Sequence, residues 1–211
     1  MIRDRQFTLL NLIGLATGLA CSLLIYLWVS DELSFDKFHP KELYQLMEQR
    51  NYPGQEGISD ESSGLLGETV KAQMPEVEFA TTIAPANWFQ KFTLTVGDKN
   101  IKAVGQYVGK DYFSMFSFKL LSGKKDEVLR DKSSMVISED LARKLFGTTE
   151  GILGKAVRFQ QDTNFFVSGV FENIPSNSSE QFDFVLSFDY YRDIQSWVKT
   201  WGNTGSELSI C

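Results

Sequence analysis

The sequence predicts a membrane-anchored α+β protein: one N-terminal transmembrane helix, then a domain with two strand-helix-strand units and β-rich segments beyond the membrane. Three observations lead there. Residues 6–30 form an apolar run without a charge, the residues after Ser30 carry all of the net acidity, and runs of β-branched and aromatic residues twice flank a stretch of helical period.

The apolar run reads QFTLLNLIGLATGLACSLLIYLWVS between Arg5 and Asp31. At about 1.5 Å per residue such a helix reaches roughly 37 Å, enough to cross about 30 Å of hydrocarbon with some tilt. Thr8, Thr17 and Ser22 can bond back to their own helix, and Asn11 lies near the entry end. Tyr26 and Trp28 stand at the other end, where amphipathic rings anchor in the headgroup zone. Gly14 and Gly18, continued by Ser22, make a small-residue face on which another helix could pack closely. Arg3 and Arg5 predict a cytoplasmic N-terminus and an extracytoplasmic body. A cleaved signal peptide would have an apolar region of about 7 to 15 residues and a small-x-small site, whereas this run ends Trp-Val-Ser-Asp-Glu. A type IV pilin start needs Gly before Phe7 and Glu four residues after it, and Gln6 and Asn11 stand there.

Beyond the span, DELSFDKFHPKELYQL reads as an amphipathic collar with Leu33, Phe35 and Phe38 among charges, interrupted by Pro40. LYQLMEQRNY suits a first strand, with a loop from Pro53 to Gly57. Ser62 or Ser63 is placed to cap a helix through Leu66, Val70 and Met74 that Pro75 ends, and Val77 to Ile83 resumes strand character. Next come two β runs around Gly97-Asp98-Lys99-Asn100, a hairpin signal. Tyr112, Phe113, Phe116 and Phe118 read as core rather than a ligand box.

In the second unit SSMVIS is a short strand and Ser138 the cap of a helix. Glu139 and Asp140 lie in its first turn, Arg143 and Lys144 in its last, Leu141, Leu145 and Phe146 on its apolar face, with Gly147 as the stop. KAVRFQQDTNFFVSGVFENIP then reads as two strands around Gln161 to Asn164. The two units, near Leu43 to Ile83 and Ser133 to Glu172, suggest helices on one face of a sheet. NIPSNSSEQ is a polar loop, QFDFVLSFDYYRDI begins something new, and WGNTGSELSIC offers neither a closing element nor a second apolar span, so a chain that stops within a domain is expected.

Several function classes lose support. A net charge of −6 with an acidic body argues against nucleic acid. GILGKAV lacks the GxxxxGK[ST] spacing, so no ATP hydrolysis is expected of this chain. His39, the only histidine, has neither a metal-ligand set nor a GxSxG serine to serve, so no catalytic, cofactor-binding or metal residue is nominated. Cys21 in the span and Cys211 at the end are not expected to pair. Asn177-Ser178-Ser179 matches a glycosylation acceptor, irrelevant in a bacterium.

The opening LNLIGLATGLACSLLIYLWVSDELSFDKFHP resembles the first span and exit segment of FtsX-like ABC transporter permeases, especially a MacB-like group with DELSFDxFH after the first helix. DYFSMFSFKLLSG, SSMVISEDLARKLFG with GKAVRF, and FFVSGVFENIPSNSSEQFDFVLSF resemble the same family in the same order. The resemblance implies a MacB-like periplasmic core domain between the first two membrane helices of a permease in the bacterial inner membrane. Its implied partners are an ABC ATPase subunit, separate or fused, a second permease subunit, membrane lipids and, in some members, a periplasmic or outer-membrane protein. The implied work is coupling of cytoplasmic ATP hydrolysis to periplasmic conformational change for export, extraction or signalling. The further helices of such a permease are absent from this sequence, so a fragment or truncated reading frame is expected. The domains read as 1–31 cytoplasmic N-terminus and anchor, 32–180 core domain and 181–211 the truncated start of a further periplasmic subdomain. The alternative is a single-span sensor or binding module.

Overall fold

The computed structural model describes residues 2–34, 36, 43–52 and 55–211. Phe35, Phe38, His39 and Pro40 of the expected collar lie outside them, as do Pro53 and Gly54 of the expected loop. The chain divides into two units, each described by itself: Met1–Lys37 with Asn177–Ser179, and Phe38–Ser176 with Glu180–Cys211.

The first unit is built on α1 (Ile2–Glu32). The second begins with β1 (Tyr44–Leu46), β2 (Glu48–Tyr52), β3 (Gln55–Ser59), β4 (Glu61–Ser62), α2 (Leu66–Gln73) and β5 (Ala80–Ala84). It continues with β6 (Phe92–Val96), β7 (Lys99–Ala103), β8 (Gly105–Val108), α3 (Tyr112–Met115), β9 (Leu120–Ser122), β10 (Ser134–Ser138) and α4 (Glu139–Phe146). It ends with β11 (Ala156–Phe159), β12 (Thr163–Phe171), β13 (Phe184–Ser187), α5 (Phe188–Ile194) and β14 (Ser206–Ile210).

Twelve of these strands form one mixed sheet in the order β1-β14-β5-β8-β13-β10-β12-β11-β6-β7, with β4 also beside β14 and β9 also beside β12. β8 with β13 and β10 with β12 pair in parallel. The central strands are buried on both faces, as their continuous apolar runs require. Ala84, Tyr107, Ile137 and Leu186 point to one core, which Leu141 and Leu145 of α4 and Phe188 and Tyr191 of α5 close. Ile83, Val108, Val136 and Val185 point to the other, closed by Tyr112 and Phe113 of α3 with Phe118, Val128, Leu129 and Phe182. The helices of the two strand-helix-strand units share one face as expected, Gly67 of α2 packing on Thr82, which alternates with Ala84 on the side that α4 closes, while α3 with irregular chain covers the second side.

The second strand-helix-strand unit has its strand, helix and cap where the sequence puts them, but the turn expected at Gln161 to Asn164 is corrected to Gln160–Asp162, because Thr163 and Asn164 already pair with Phe159 and Arg158. Ser138 Oγ accepts from Leu141 N at 3.2 Å, a cap of about 1 kcal/mol, and Gly147 ends α4 in the left-handed region at φ 76°. The first unit differs. Along one side of β14 the partners run Tyr44↔Ile210, Gln45↔Ser209, Leu46↔Leu208, then Glu61↔Glu207 and Ser62↔Ser206. β1 and β4 are thus one edge strand interrupted by the β2–β3 hairpin, which forms a small sheet of its own. A single strand through LYQLMEQRNY and a loop reaching Gly57 are both corrected, since Gln55 to Gly57 belong to β3. Neither Ser62 nor Ser63 supplies an α2 cap; Ser62 is in β4, and Leu66 N donates to the Ser63 carbonyl at 3.0 Å instead.

At the β6–β7 hairpin Val96 pairs with Lys99, so the turn is Gly97-Asp98 alone, with Gly97 at φ 57°. The segment 181–211, expected to open another subdomain, supplies β13 between β8 and β10 and β14 between β1 and β5. Its strands complete the sheet because their burial faces match those of their neighbours: Leu186 shares a core with Ile137, and Val185 shares the other with Val136.

Candidate functional site

Residues Phe7–Glu32 of α1 are long and apolar enough to cross a membrane, and their most apolar stretch of 18 residues has a mean hydropathy of 2.1. Their large side chains have no protein cover, Leu15 being 73% exposed and Trp28 66%. An apolar surface that surrounds a helix calls for lipid or other helices. The hydroxyls inside the run are satisfied locally: Thr17 donates to the Ile13 carbonyl at 2.8 Å and Ser22 to that of Gly18 at 2.9 Å. Gly14, Gly18 and Ser22 recur at the four-residue spacing of one helix face, and a Cβ added at either glycine would meet nothing within 4 Å. Tyr26 and Trp28 are exposed near the C-terminal end of the helix.

Where α1 ends, the chain makes a polar knot. Ser34 N and Ser34 Oγ both donate to the Asp31 carbonyl, at 2.9 and 2.7 Å. Asp36 sits in the left-handed region at φ 55°, a conformation that Asp tolerates better than most side chains. Its N–H donates to the Asn177 carbonyl at 3.1 Å, and its Oδ1 accepts from Ser179 N at 3.0 Å and Ser178 Oγ at 3.3 Å. The Asn177 amide returns a bond to the Ser34 carbonyl at 3.0 Å. Sequence reasoning took Asn177-Ser178-Ser179 for a chance glycosylation pattern. The available signal was a run of small hydrogen-bonding residues that could not pay for burial by itself.

On the sheet domain a cleft of about 230 Å³ lies among α2, β5, the residues before α3, and α5. Lys71 pairs with Asp111, Lys110 with Asp189 at 3.3 Å, and Arg192 with Glu68 at 2.8 Å and Asp189 at 3.4 Å. Three cations meet three carboxylates, so the cleft holds no surplus charge for an anionic cofactor. Its partly exposed ion pairs link surrounding elements at little net gain. No group of three or more His, Cys, Asp or Glu among the described residues is arranged to hold a metal.

Glu207 of β14 is a carboxylate far from its ordinary range. Its carboxyl is pushed up to about 7, first by burial and then by the charges of Asp60, Glu180 and Glu61. Gln45 Nε2 approaches it at 3.5 Å. A carboxyl whose folded value exceeds its unfolded one favours the protonated native state. Its contribution is complete below the unfolded value and is lost as pH rises toward about 7. The thermal midpoint of the detergent-solubilised chain is therefore expected to fall between pH 5 and pH 8 more steeply in the wild type than in Glu207→Gln, which should also be the more stable of the two at pH 8. Parallel profiles would contradict this crowding.

Comparison with known proteins agrees with the architecture. A domain of a candidate permease protein from Porphyromonas gingivalis is similar at 28% identity and a TM-score of 0.60, over 72% of this chain and 69% of that one. The periplasmic region of MacB from Actinobacillus actinomycetemcomitans shares the fold at 17% identity and a TM-score of 0.57, over 85% of this chain and 78% of that one. So does the extracellular domain of the noncanonic ABC-type transporter YknZ from Gram-positive bacteria, at 16% identity and a TM-score of 0.54, over 81% and 83%. No curated protein matches the chain. The model of the MacB-like periplasmic core domain matches residues 8–208, so the chain belongs to that family, as a periplasmic domain of the ABC transporter-type permeases carried behind a helix of membrane-spanning length.

Proposed function

We propose that this chain supplies the first membrane span and the periplasmic domain of a permease subunit that couples ATP hydrolysis by a cytoplasmic ABC ATPase to periplasmic conformational change. The outcome is export, extraction or signalling across the envelope. The observation that carries the reading is the family match running from inside the apolar helix into β14. Residues 1–31 serve as N-terminal segment and anchor, with Arg3 and Arg5 keeping the N-terminus cytoplasmic and the sheet domain outside the bacterial inner membrane. Tyr26 and Trp28 hold the outer headgroup level, and the face of Gly14, Gly18 and Ser22 packs against a further helix of the permease or of its dimer partner.

Hydrolysis itself belongs to the partner. The test is copurification of the full-length protein from its own membranes. An ABC ATPase should be recovered in stoichiometric amount, and its turnover should change when the periplasmic domain is mutated. Recovery of no ATPase, or turnover indifferent to every periplasmic change, would overturn the reading.

A further inference from the structure

We propose that Asp36 and Asn177 form a clasp that makes the outer end of the membrane helix and the β12–β13 loop move as one piece, so that motion of the helix enters the sheet domain at that loop. The proposal rests on the function proposed above only in naming the source of the motion; the clasp itself stands on geometry.

Residues 177–179 group with the helix rather than with the sheet domain that flanks them on both sides. The chain therefore passes between the two units after Lys37, after Ser176 and after Ser179, in place of the single passage that a simple tether has. What draws residues 177–179 to the helix exit is polar and directional. Asp36 both donates its N–H to the Asn177 carbonyl and accepts, on one carboxylate oxygen, the Ser179 N–H and the Ser178 hydroxyl. Asn177 then donates its amide to the Ser34 carbonyl at 3.0 Å and reaches Ser34 Oγ at 3.4 Å. Bonds to a carboxylate are the stronger kind, and the segments 34–36 and 177–179 each donate to and accept from the other, which fixes orientation as well as distance.

The position of the loop gives the clasp its consequence. β12 ends at Phe171 and β13 begins at Phe184. β12 pairs with β10, β11 and β9, and β13 pairs with β10 and β8, so both strands lie inside the sheet rather than at its edges. A displacement of residues 177–179 is delivered to two interior strands, each paired with β10. A helix joined to the domain only by the chain after Lys37 could swivel without disturbing them.

The test uses the full chain in lipid nanodiscs, without any ATPase, so that it stands apart from the transporter reading. Spin labels at Glu32→Cys and Ser176→Cys, in a background of Cys21→Ala and Cys211→Ser, report the spread of distances between the helix end and the β12–β13 loop, and hydrogen exchange reports the Ser179 amide. Asp36→Ala is expected to broaden the distance distribution and to speed Ser179 exchange by about tenfold or more, with Asn177→Ala acting in the same direction. Asp36→Asn keeps an acceptor and a side chain tolerant of the left-handed region but gives up the charge, and is expected to fall between wild type and Asp36→Ala. Unchanged exchange in the β10 amides verifies that each variant is folded. A distribution equally narrow in Asp36→Ala and wild type, or Ser179 exchange unmoved, overturns the clasp whatever ATPase copurifies. Failure to recover an ATPase, with the distribution broadened, overturns the transporter reading and supports the clasp.

Discussion

Gly105→Ala is expected to cost the sheet domain about 3 kcal/mol, the upper end of what overpacking a core usually exacts. Gly105 faces Phe184 in the parallel β8–β13 pair at the middle of the sheet. A methyl at Gly105 would lie 2.2 Å from Phe184 Cζ and 2.5 Å from both Cε atoms, so the ring lies across the glycine. Phe184 is itself fully buried and meets Phe92 at 5.9 Å and Phe159 at 6.3 Å between ring centroids, which leaves it nowhere to turn. Against a domain stability of about 5–15 kcal/mol such a loss is large. Phe184→Leu removes the ring atoms that clash, so in the Gly105→Ala background it is expected to restore stability although alone it lowers it. The non-additivity is the signature of direct contact. Urea unfolding of the detergent-solubilised chain, followed by circular dichroism, measures the cycle. A Gly105→Ala loss below about 1 kcal/mol, or strict additivity, would show that the ring does not occupy that space.

That contact illustrates what the sequence could reveal and what it could not. The unit from Ser134 to Phe146 was legible because its signals are local: an apolar strand, a serine at the cap, charges matched to the helix ends, and Gly147 where the chain turns left-handed. The membrane helix was legible from composition alone. The β1–β4 edge strand was not, because its two pieces are separated by the β2–β3 hairpin and are joined only by their shared partner β14. The same cause hid the role of 206–210: a strand of mixed polarity, SELSI, belongs in the sheet only by virtue of β1, β4 and β5 on its flanks. At the β11–β12 hairpin Gln160 and Gln161 take φ of 51° and 65° where no glycine advertises it. Asp36 and Asn177, the residues on which the coupling proposal rests, lie far apart in sequence, and neither neighbourhood holds a pattern that points to the other.

Tyr112→Ala is expected to be the most damaging single change on the opposite face from α4 and α5, at about 4–5 kcal/mol. The Tyr112 ring has no exposed surface and lies 4.8 Å from Phe116, 5.5 Å from Phe113, 5.7 Å from Phe118 and 6.2 Å from Phe182. Truncation removes the hub of that cluster. Its hydroxyl carries a second, separable share. Gln106, almost fully buried, donates Nε2 to Tyr112 Oη at 2.9 Å, and the hydroxyl lies 3.4 Å from Glu180 Oε2. Burial holds the phenol well above its ordinary range, with the nearby Glu180 charge adding to the effect, so it stays neutral through the working pH of any cell. Tyr112→Phe keeps the packing and removes the hydroxyl, which weakens satisfaction of a glutamine whose Oε1 already has no hydrogen-bond partner. A loss of about 1–2 kcal/mol follows. Gln106→Leu in the Tyr112→Phe background replaces both groups by apolar ones and is expected to recover only part of that loss, since the Gln106 Nε2 contact with Glu180 Oε2 at 3.5 Å goes with it. Urea midpoints of the four proteins separate packing from polarity. Equal losses for Tyr112→Phe and Tyr112→Ala would place the energy in the hydrogen bonds, and a double variant weaker than Tyr112→Phe would show that the Gln106 contact with Glu180 outweighs the cost of the unmatched amide oxygen.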